Sequence, residues 1–196
     1  MSRRLVLATR NPGKVAELAH RLDGLGYALV SAADVVGAPH VEETEDTLAG
    51  NAALKARALH AHTGTDALAD DTGLLVDALG GAPGVHSARY AGPQASDADN
   101  RVRLLGALAG VADRSARFET ALALATDAGV RLISGVCTGR ILDAPRGAGG
   151  FGYDALFVPD DGDGRTFAEM TTAEKGRISH RARALDAFVE GMGEGA

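Results

Sequence analysis

The chain has 196 residues, 45% hydrophobic and 23% charged, the composition of an ordinary globular protein. At this length about 70% of the unfolded surface can be buried without a disulfide or a metal staple. Twenty Lys and Arg against 26 Asp and Glu leave a net charge of −6, which excludes the bulk positive field of a nucleic-acid or anionic-membrane binder. Cys137 is the one cysteine, so an intramolecular disulfide or a Cys-rich zinc site is excluded.

In chain order, Leu5 to Ala8 is a short apolar run of buried-strand type. The basic start at Arg3-Arg4 is followed by too few apolar residues for a signal peptide. No apolar stretch reaches the roughly 18 residues of a membrane span, so a soluble, cytoplasmic protein is expected. Asn11 before Pro12 reads as N-cap and first helical residue, and Val15, Leu18, Ala19, Leu22 and Leu25 follow at helical spacing. Residues 45–62 form a second helical stretch. Residues 66–79 read as two short strands around Asp70-Asp71-Thr72-Gly73, and Gly80 to Gly92 as a loop with Gly-Gly and Pro-Gly turn signals.

A third helix is expected over 97–109. Arg117 to Thr126 and Val130 to Leu142 read as strands joined by an Asp127-Ala128-Gly129 hairpin. Gly147 to Asp154 is a glycine-rich loop, Ala155 to Val158 a short strand, and Asp160 to Gly164 a loop between strands. A helix closes the chain over 178–190, with fraying expected beyond Gly191. An opening βα unit followed by a central hairpin predicts an α/β protein with a mixed sheet, and no linker separates a second independent domain within 1–196.

Three segments carry candidate chemistry. At Thr9-Arg10-Asn11-Pro12-Gly13-Lys14 a helix N-terminus offers backbone N–H groups and the positive end of the helix dipole to a phosphate, with Lys14 as a point charge. The bland alternative is an ordinary strand-to-helix turn; the Walker A spacing is absent. Asp70-Asp71 offers a carboxylate that can hold Mg²⁺ or take a proton from water, or else is a solvated turn. Neighbours on a strand face opposite ways, so at most one of the two enters a given site directly. The cluster Glu42-Glu43-Thr44-Glu45-Asp46 complements the following helix dipole, and one member could complete a magnesium site.

The segment Glu174 to Arg181 packs Lys175, Arg177, Arg181 and His180 near a helix start. That crowding calls for an anion or carboxylates, unless it is simply a basic exposed face. Lys14, Lys55 and Lys175 are the only lysines among 20 basic residues, and each falls in a candidate segment. A converging set of compact point charges would suit a triphosphate. Cys137 sits in an apolar strand pattern and reads as core rather than nucleophile.

Taken together, Ala8 to Lys14, Asn51 to Ala56, Ala69 to Leu74, Leu79 to Gly84 with Ser87 to Tyr90, Gly150 to Asp154, Ala168 to Met170, and Glu174 to Arg181 resemble the inosine triphosphate pyrophosphatase (Ham1-like) family over nearly the whole chain. The resemblance implies a long mixed β-sheet with flanking helices forming two lobes around a central cleft, and a homodimer. It implies Mg²⁺-dependent hydrolysis of the α–β phosphoanhydride of ITP, dITP and XTP, which clears deaminated purines from the nucleotide pool. By motif position Thr9, Arg10, Asn11, Pro12, Gly13 and Lys14 would cradle phosphate, assisted by Lys55 and Lys175. Asp71 would be general base and metal contact, with Glu42 preferred over Glu43 as the second acidic contact. Thr72, Phe151, Gly152, Tyr153 and Asp154 would line the nucleoside pocket, and His180 and Arg181 would read the base.

The sequence departs from that pattern in places. Thr72 stands where many relatives have serine, Glu45 where the family has glycine, Leu48 for phenylalanine and Gly50 for glutamate. Two other functions compete with this one: a pyrophosphatase acting on a modified pyrimidine triphosphate, as Maf-like enzymes do, and a non-catalytic nucleotide-binding module.

Overall fold

Leu5, Val6 and Leu7 are each no more than 1% exposed, the signature of a strand covered on both faces. They form β1 (Arg3–Leu7), which pairs in parallel with β2 (Tyr27–Ser31) and with β3 (Ala67–Val76). The computed structural model describes residues 3–193. Among them the remaining elements are α1 (Pro12–Leu22), α2 (Leu48–Thr63), β4 (Pro83–Gly84), α3 (Asp97–Ala107), β5 (Ser115–Thr126), β6 (Gly129–Ile141), β7 (Phe157–Pro159), α4 (Thr172–Ile178) and α5 (His180–Gly193). The strands form one mixed seven-stranded sheet of order β2-β1-β3-β5-β6-β7, with β4 paired to β3.

The chain divides into two compact units. Within the described residues the first comprises 3–71, 121–134 and 184–193, and the second 72–120 and 135–183. The first has its own core, in which Leu5, Leu7, Leu68 and Leu122 from strands meet Leu18 and Leu22 of α1 and Leu185 and Phe188 of α5. A second cluster joins Val6, Ala32, Leu59 and Ala67. The second unit is built around Phe118, Phe157 and Phe167, with Leu74, Leu104, Leu108, Cys137 and Tyr153. Phe118 meets Phe157 edge-on at 4.8 Å, a favoured aromatic geometry.

Several expectations need correction. α1 ends at Leu22, because Gly24 and Gly26 turn the chain with positive φ. Leu25 therefore leaves the helix's apolar side and is 37% exposed, and the five residues after Gly26 become β2. The Asp70-Asp71-Thr72-Gly73 stretch does not break a strand: β3 is continuous, because tertiary partners satisfy the polar side chains that a turn would have solvated. The Gly80–Gly92 region holds β4 and a 3-10 turn at Ser87–Arg89, where Ser87 Oγ accepts from the Leu74 N–H at 2.9 Å. Residues 160–164 lead into a 3-10 turn at Phe167–Glu169 rather than into another strand. The closing helical stretch is α5, and a separate helix, α4, precedes it. α4 is opened by a capping box of Thr171 and Glu174, and Ser179 breaks the run and accepts from the Ala182 N–H at 3.2 Å. α5 continues through Gly193, and the tail beyond it lies outside the described residues.

Candidate active site

In the first unit, α1 opens as its sequence predicts. Asn11 is the N-cap, its Oδ1 accepting from the N–H groups of Gly13 (2.9 Å) and Lys14 (3.3 Å), while Thr9 Oγ1 accepts from the Asn11 N–H at 3.2 Å. Pro12 has no N–H and the Val15 N–H is bonded to the Asn11 carbonyl. The first-turn donors are thus all engaged within the protein, so a phosphate here must displace the Asn11 carboxamide to reach the helix N-terminus. Arg10 turns its guanidinium to the Ala38 carbonyl at 3.0 Å.

β3 divides its two aspartates between two lysines, as strand alternation requires. Asp70, whose side chain is fully buried, pairs with Lys14 at 3.0 Å. Asp71 pairs with Lys55 of α2 at 2.8 Å, and the same ammonium lies 3.0 Å from Glu43. Glu43, rather than the exposed Glu42, is therefore the acidic-loop residue that the structure places on the Lys55–Asp71 pair. The loop is held by Asn51 of α2, fully buried, whose carboxamide accepts from the Glu45 N–H at 3.0 Å and donates to the Glu45 carbonyl at 3.2 Å.

Two of the departures from the family pattern are physically one. A Cβ at Gly50 would stand 2.7 Å from Glu45 Cβ, so the glutamate at 45 occupies the space that a side chain at 50 would need.

Burial dominates the acidity of Asp71. It pushes the carboxyl up from 3.8 to about 6, against the opposing pull of Lys55 and with a smaller upward push from Glu43. Burial acts to lower Lys55 in turn, but Asp71, Glu43 and Asp70 outweigh it and hold the ammonium above its ordinary value. A carboxylate poised near neutral pH beside a permanent cation has the properties of a general base.

The second unit holds the remaining predicted residues. Lys175 of α4 pairs with Asp154 at 2.6 Å, both nearly buried. Asp154 Oδ2 also accepts from the Phe151 N–H at 3.0 Å, and the ammonium lies over the Phe151 ring at 4.7 Å. This loop needs glycine at 150: its φ is +68° and a Cβ would lie 2.1 Å from Asp154 Oδ2. Gly152 is fixed at both backbone ends, its N–H donating to Asp97 at 2.6 Å and its carbonyl accepting from Arg101 at 2.6 Å. Tyr153 belongs to the core of this unit, its hydroxyl donating to the Ser87 carbonyl at 2.9 Å. Cys137 is buried and its thiol is pushed up to about 11 by burial, a core residue as expected.

The three lysines are thus each engaged with a buried aspartate rather than displayed in the open. At the start of α5, Arg181 donates to Thr72 Oγ1 at 3.1 Å and His180 meets Thr120 Oγ1 at 2.6 Å through Nδ1. The His180 ring stacks on Phe118 at 4.8 Å. Glu43, Asn51 and Thr120 take part in these contacts, although the sequence motifs do not mark them as primary site residues. For Thr120 a signal existed: it is a polar residue at the inward phase of β5, in step with Ala116, Phe118 and Leu122.

The architecture is that of a mixed-sheet α/β protein whose central strand carries a buried pair of lysine-bound aspartates. The chain belongs to the Ham1 family, whose model matches residues 5–191. A dITP/XTP pyrophosphatase from Geobacter sulfurreducens is 48% identical over 193 residues, covering 97% of this chain and 96% of the relative. One from Gloeobacter violaceus is 49% identical over 196 residues, covering 100% and 97%. Among solved structures, a HAM1 protein from Coxiella burnetii superposes with a TM-score of 0.91 at 40% identity, covering 98% of this chain and 99% of that one.

Among the described residues no group of three or more His, Cys, Asp or Glu is arranged to hold a metal. Magnesium commonly takes only one or two carboxylates from the protein, the rest being water and substrate phosphate oxygens. Glu43 and Asp71 meet that requirement: their carboxylate oxygens already share one cation, the Lys55 ammonium, at 3.0 and 2.8 Å. No helix among the described residues is long and apolar enough to cross a membrane.

Proposed function

We propose that this chain is a dITP/XTP pyrophosphatase: water is added across the α–β phosphoanhydride of ITP, dITP or XTP, releasing the nucleoside monophosphate and pyrophosphate. The observation that carries the mechanism is Asp71, buried, bonded to Lys55 and raised to about 6. At neutral pH it is ionised and accepts a proton from the attacking water. Lys14 and Lys55 offset the charge of the phosphates, and catalysis is mainly positioning and electrostatic stabilisation. Glu43 and Asp71 would hold Mg²⁺, which when bound neutralises phosphate charge. Phe151, Gly152 and Thr72 border the nucleoside, while Lys175 secures Asp154 beneath the Phe151 loop.

Arg181 and His180 read the base. Hypoxanthine and xanthine offer an O6 acceptor, whereas adenine offers an amino donor that a guanidinium, which has only donors, opposes. The enzyme works as a cytoplasmic homodimer.

The test is a panel of ITP, XTP, GTP, ATP and dUTP, each with and without magnesium, scored for pyrophosphate. Preferred turnover of ITP and XTP that requires magnesium supports the proposal. Preference for dUTP, or release of orthophosphate, refutes it.

A further inference from the structure

In the second unit, the loop before β7 carries Phe151 between two glycines, Gly150 and Gly152. Glycine has the widest choice of backbone conformations, so the chain on either side does not by itself fix where the Phe151 ring points. Hydrogen bonds supply the restraint. The Phe151 N–H donates to Asp154 Oδ2 at 3.0 Å, and the Phe151 carbonyl accepts from the Asp154 N–H at 3.1 Å. From α3, Asp97 Oδ2 accepts from the Gly152 N–H and Arg101 Nη1 donates to the Gly152 carbonyl, both at 2.6 Å.

A peptide unit is a rigid plane, so the Phe151 carbonyl and the Gly152 N–H belong to one plate, gripped by Asp154 at one edge and by Asp97 at the other. The Phe151 N–H fixes the plate before it, and the Gly152 carbonyl fixes the plate after it. With the plates on both sides of its Cα held, the Phe151 side chain leaves the backbone in one direction, and the Lys175 ammonium lies over its ring at 4.7 Å. Asp97 and Arg101 are four residues apart on α3 and therefore neighbours on one face of the helix. The acid takes the peptide donor and the base takes the acceptor, and both bonds are charge-assisted, stronger than their neutral counterparts.

We propose that Asp97 and Arg101 are positioning residues that clamp the Phe151–Gly152 loop and so set nucleotide affinity without setting base choice. The inference rests on the reading above of Phe151 as a residue that borders the nucleoside. A phenyl ring has no hydrogen-bond donor or acceptor with which to tell one base from another. Holding it in place strengthens the binding of every purine alike, whereas Arg181 separates them.

The experiment uses the full chain, ¹⁵N-labelled, with steady-state kinetics alongside amide exchange. The Gly152 amide is expected to be protected in the wild type and to exchange at least about tenfold faster in Asp97→Ala. KM for ITP is expected to rise roughly tenfold in that variant, with kcat and the ITP-to-ATP ratio of kcat/KM each held within about twofold. Asp97→Asn keeps an acceptor oxygen and is expected to restore most of both readouts. Arg101→Met keeps the stem, removes the donors and is expected to raise KM in the same way. In a Phe151→Ala background, Asp97→Ala is expected to add nothing further, because its effect passes through that ring.

An unmoved KM, a loss in kcat instead, a shifted ITP-to-ATP ratio, an asparagine variant no better than alanine, or additive effects in the Phe151→Ala background would each overturn the assignment. Should Asp97→Ala not fold, Arg101→Met and its own cycle with Phe151→Ala decide. An enzyme with a protected Gly152 amide that does not hydrolyse ITP would refute the proposed activity and uphold the clamp. One that hydrolyses ITP while that amide exchanges freely would do the reverse.

Discussion

Asp71→Asn separates what Asp71 does for catalysis from what it costs the fold. The carboxyl stands at 3.8 in its ordinary state and about 6 in the folded protein, raised chiefly by burial. A raised folded value means that the native state binds the proton more tightly than the unfolded chain. Stability is therefore fully present below about pH 4 and is lost as pH rises through about 6, where the buried group must ionise. At about 1.4 kcal/mol per pH unit the difference amounts to about 3 kcal/mol. Asparagine has nothing to ionise and lacks this slope.

Urea unfolding of both proteins across acid to neutral pH measures it, because carboxylates that do not interact with Asp71 titrate equally in each and cancel in the difference. Wild-type stability minus variant stability is expected to fall by about 3 kcal/mol between roughly pH 3.5 and 7. Over the same range wild-type kcat/KM for ITP is expected to drop as pH falls through about 6, where the base becomes protonated, and the variant to be inactive throughout. A pH-independent stability difference, or one that grows with pH, would refute the account of Asp71 as a buried, destabilising base.

Further outcomes follow from the neighbouring groups. Arg181→Ala is expected to raise ATP turnover relative to ITP by roughly tenfold or more in kcat/KM; unchanged selectivity in competition assays would remove Arg181 as base reader. Gly50→Glu drives a side chain into Glu45 and is expected to cost about 1–3 kcal/mol in chemical denaturation. Adding Glu45→Gly should recover most of that loss, and additive effects in the double variant would show that the two positions are not coupled. Lys175→Met leaves Asp154 buried without its cation, a loss of about 3–5 kcal/mol. Calorimetry should show this as a Tm lowered by roughly 10 °C for a chain of this size.

Local order was legible where neighbouring residues suffice to decide it. Asn11-Pro12 announced the start of α1, Asp127-Ala128-Gly129 the β5–β6 hairpin, and the spacing of Val15, Leu18 and Leu22 the buried side of α1. The motif pattern likewise gave the family. Local chemistry misled at Asp70-Asp71-Thr72-Gly73, which has the composition of a turn. It also left α4 unmarked as a helix of its own, ended at Ser179 before α5 begins.

The sequence by itself determined which residue types are present and how the short elements begin and end, because caps, turns and apolar periodicity act over a few neighbouring residues. Only tertiary structure decided which carboxylate meets which lysine: Asp70 with Lys14, Asp71 and Glu43 with Lys55, Asp154 with Lys175. It also decided that Asp71 stands near 6 and that Thr120 joins Thr72 to His180. Those outcomes depend on burial and on partners 12 to 60 residues away along the chain, and neither desolvation nor a hydrogen bond across such a distance leaves a mark on local sequence.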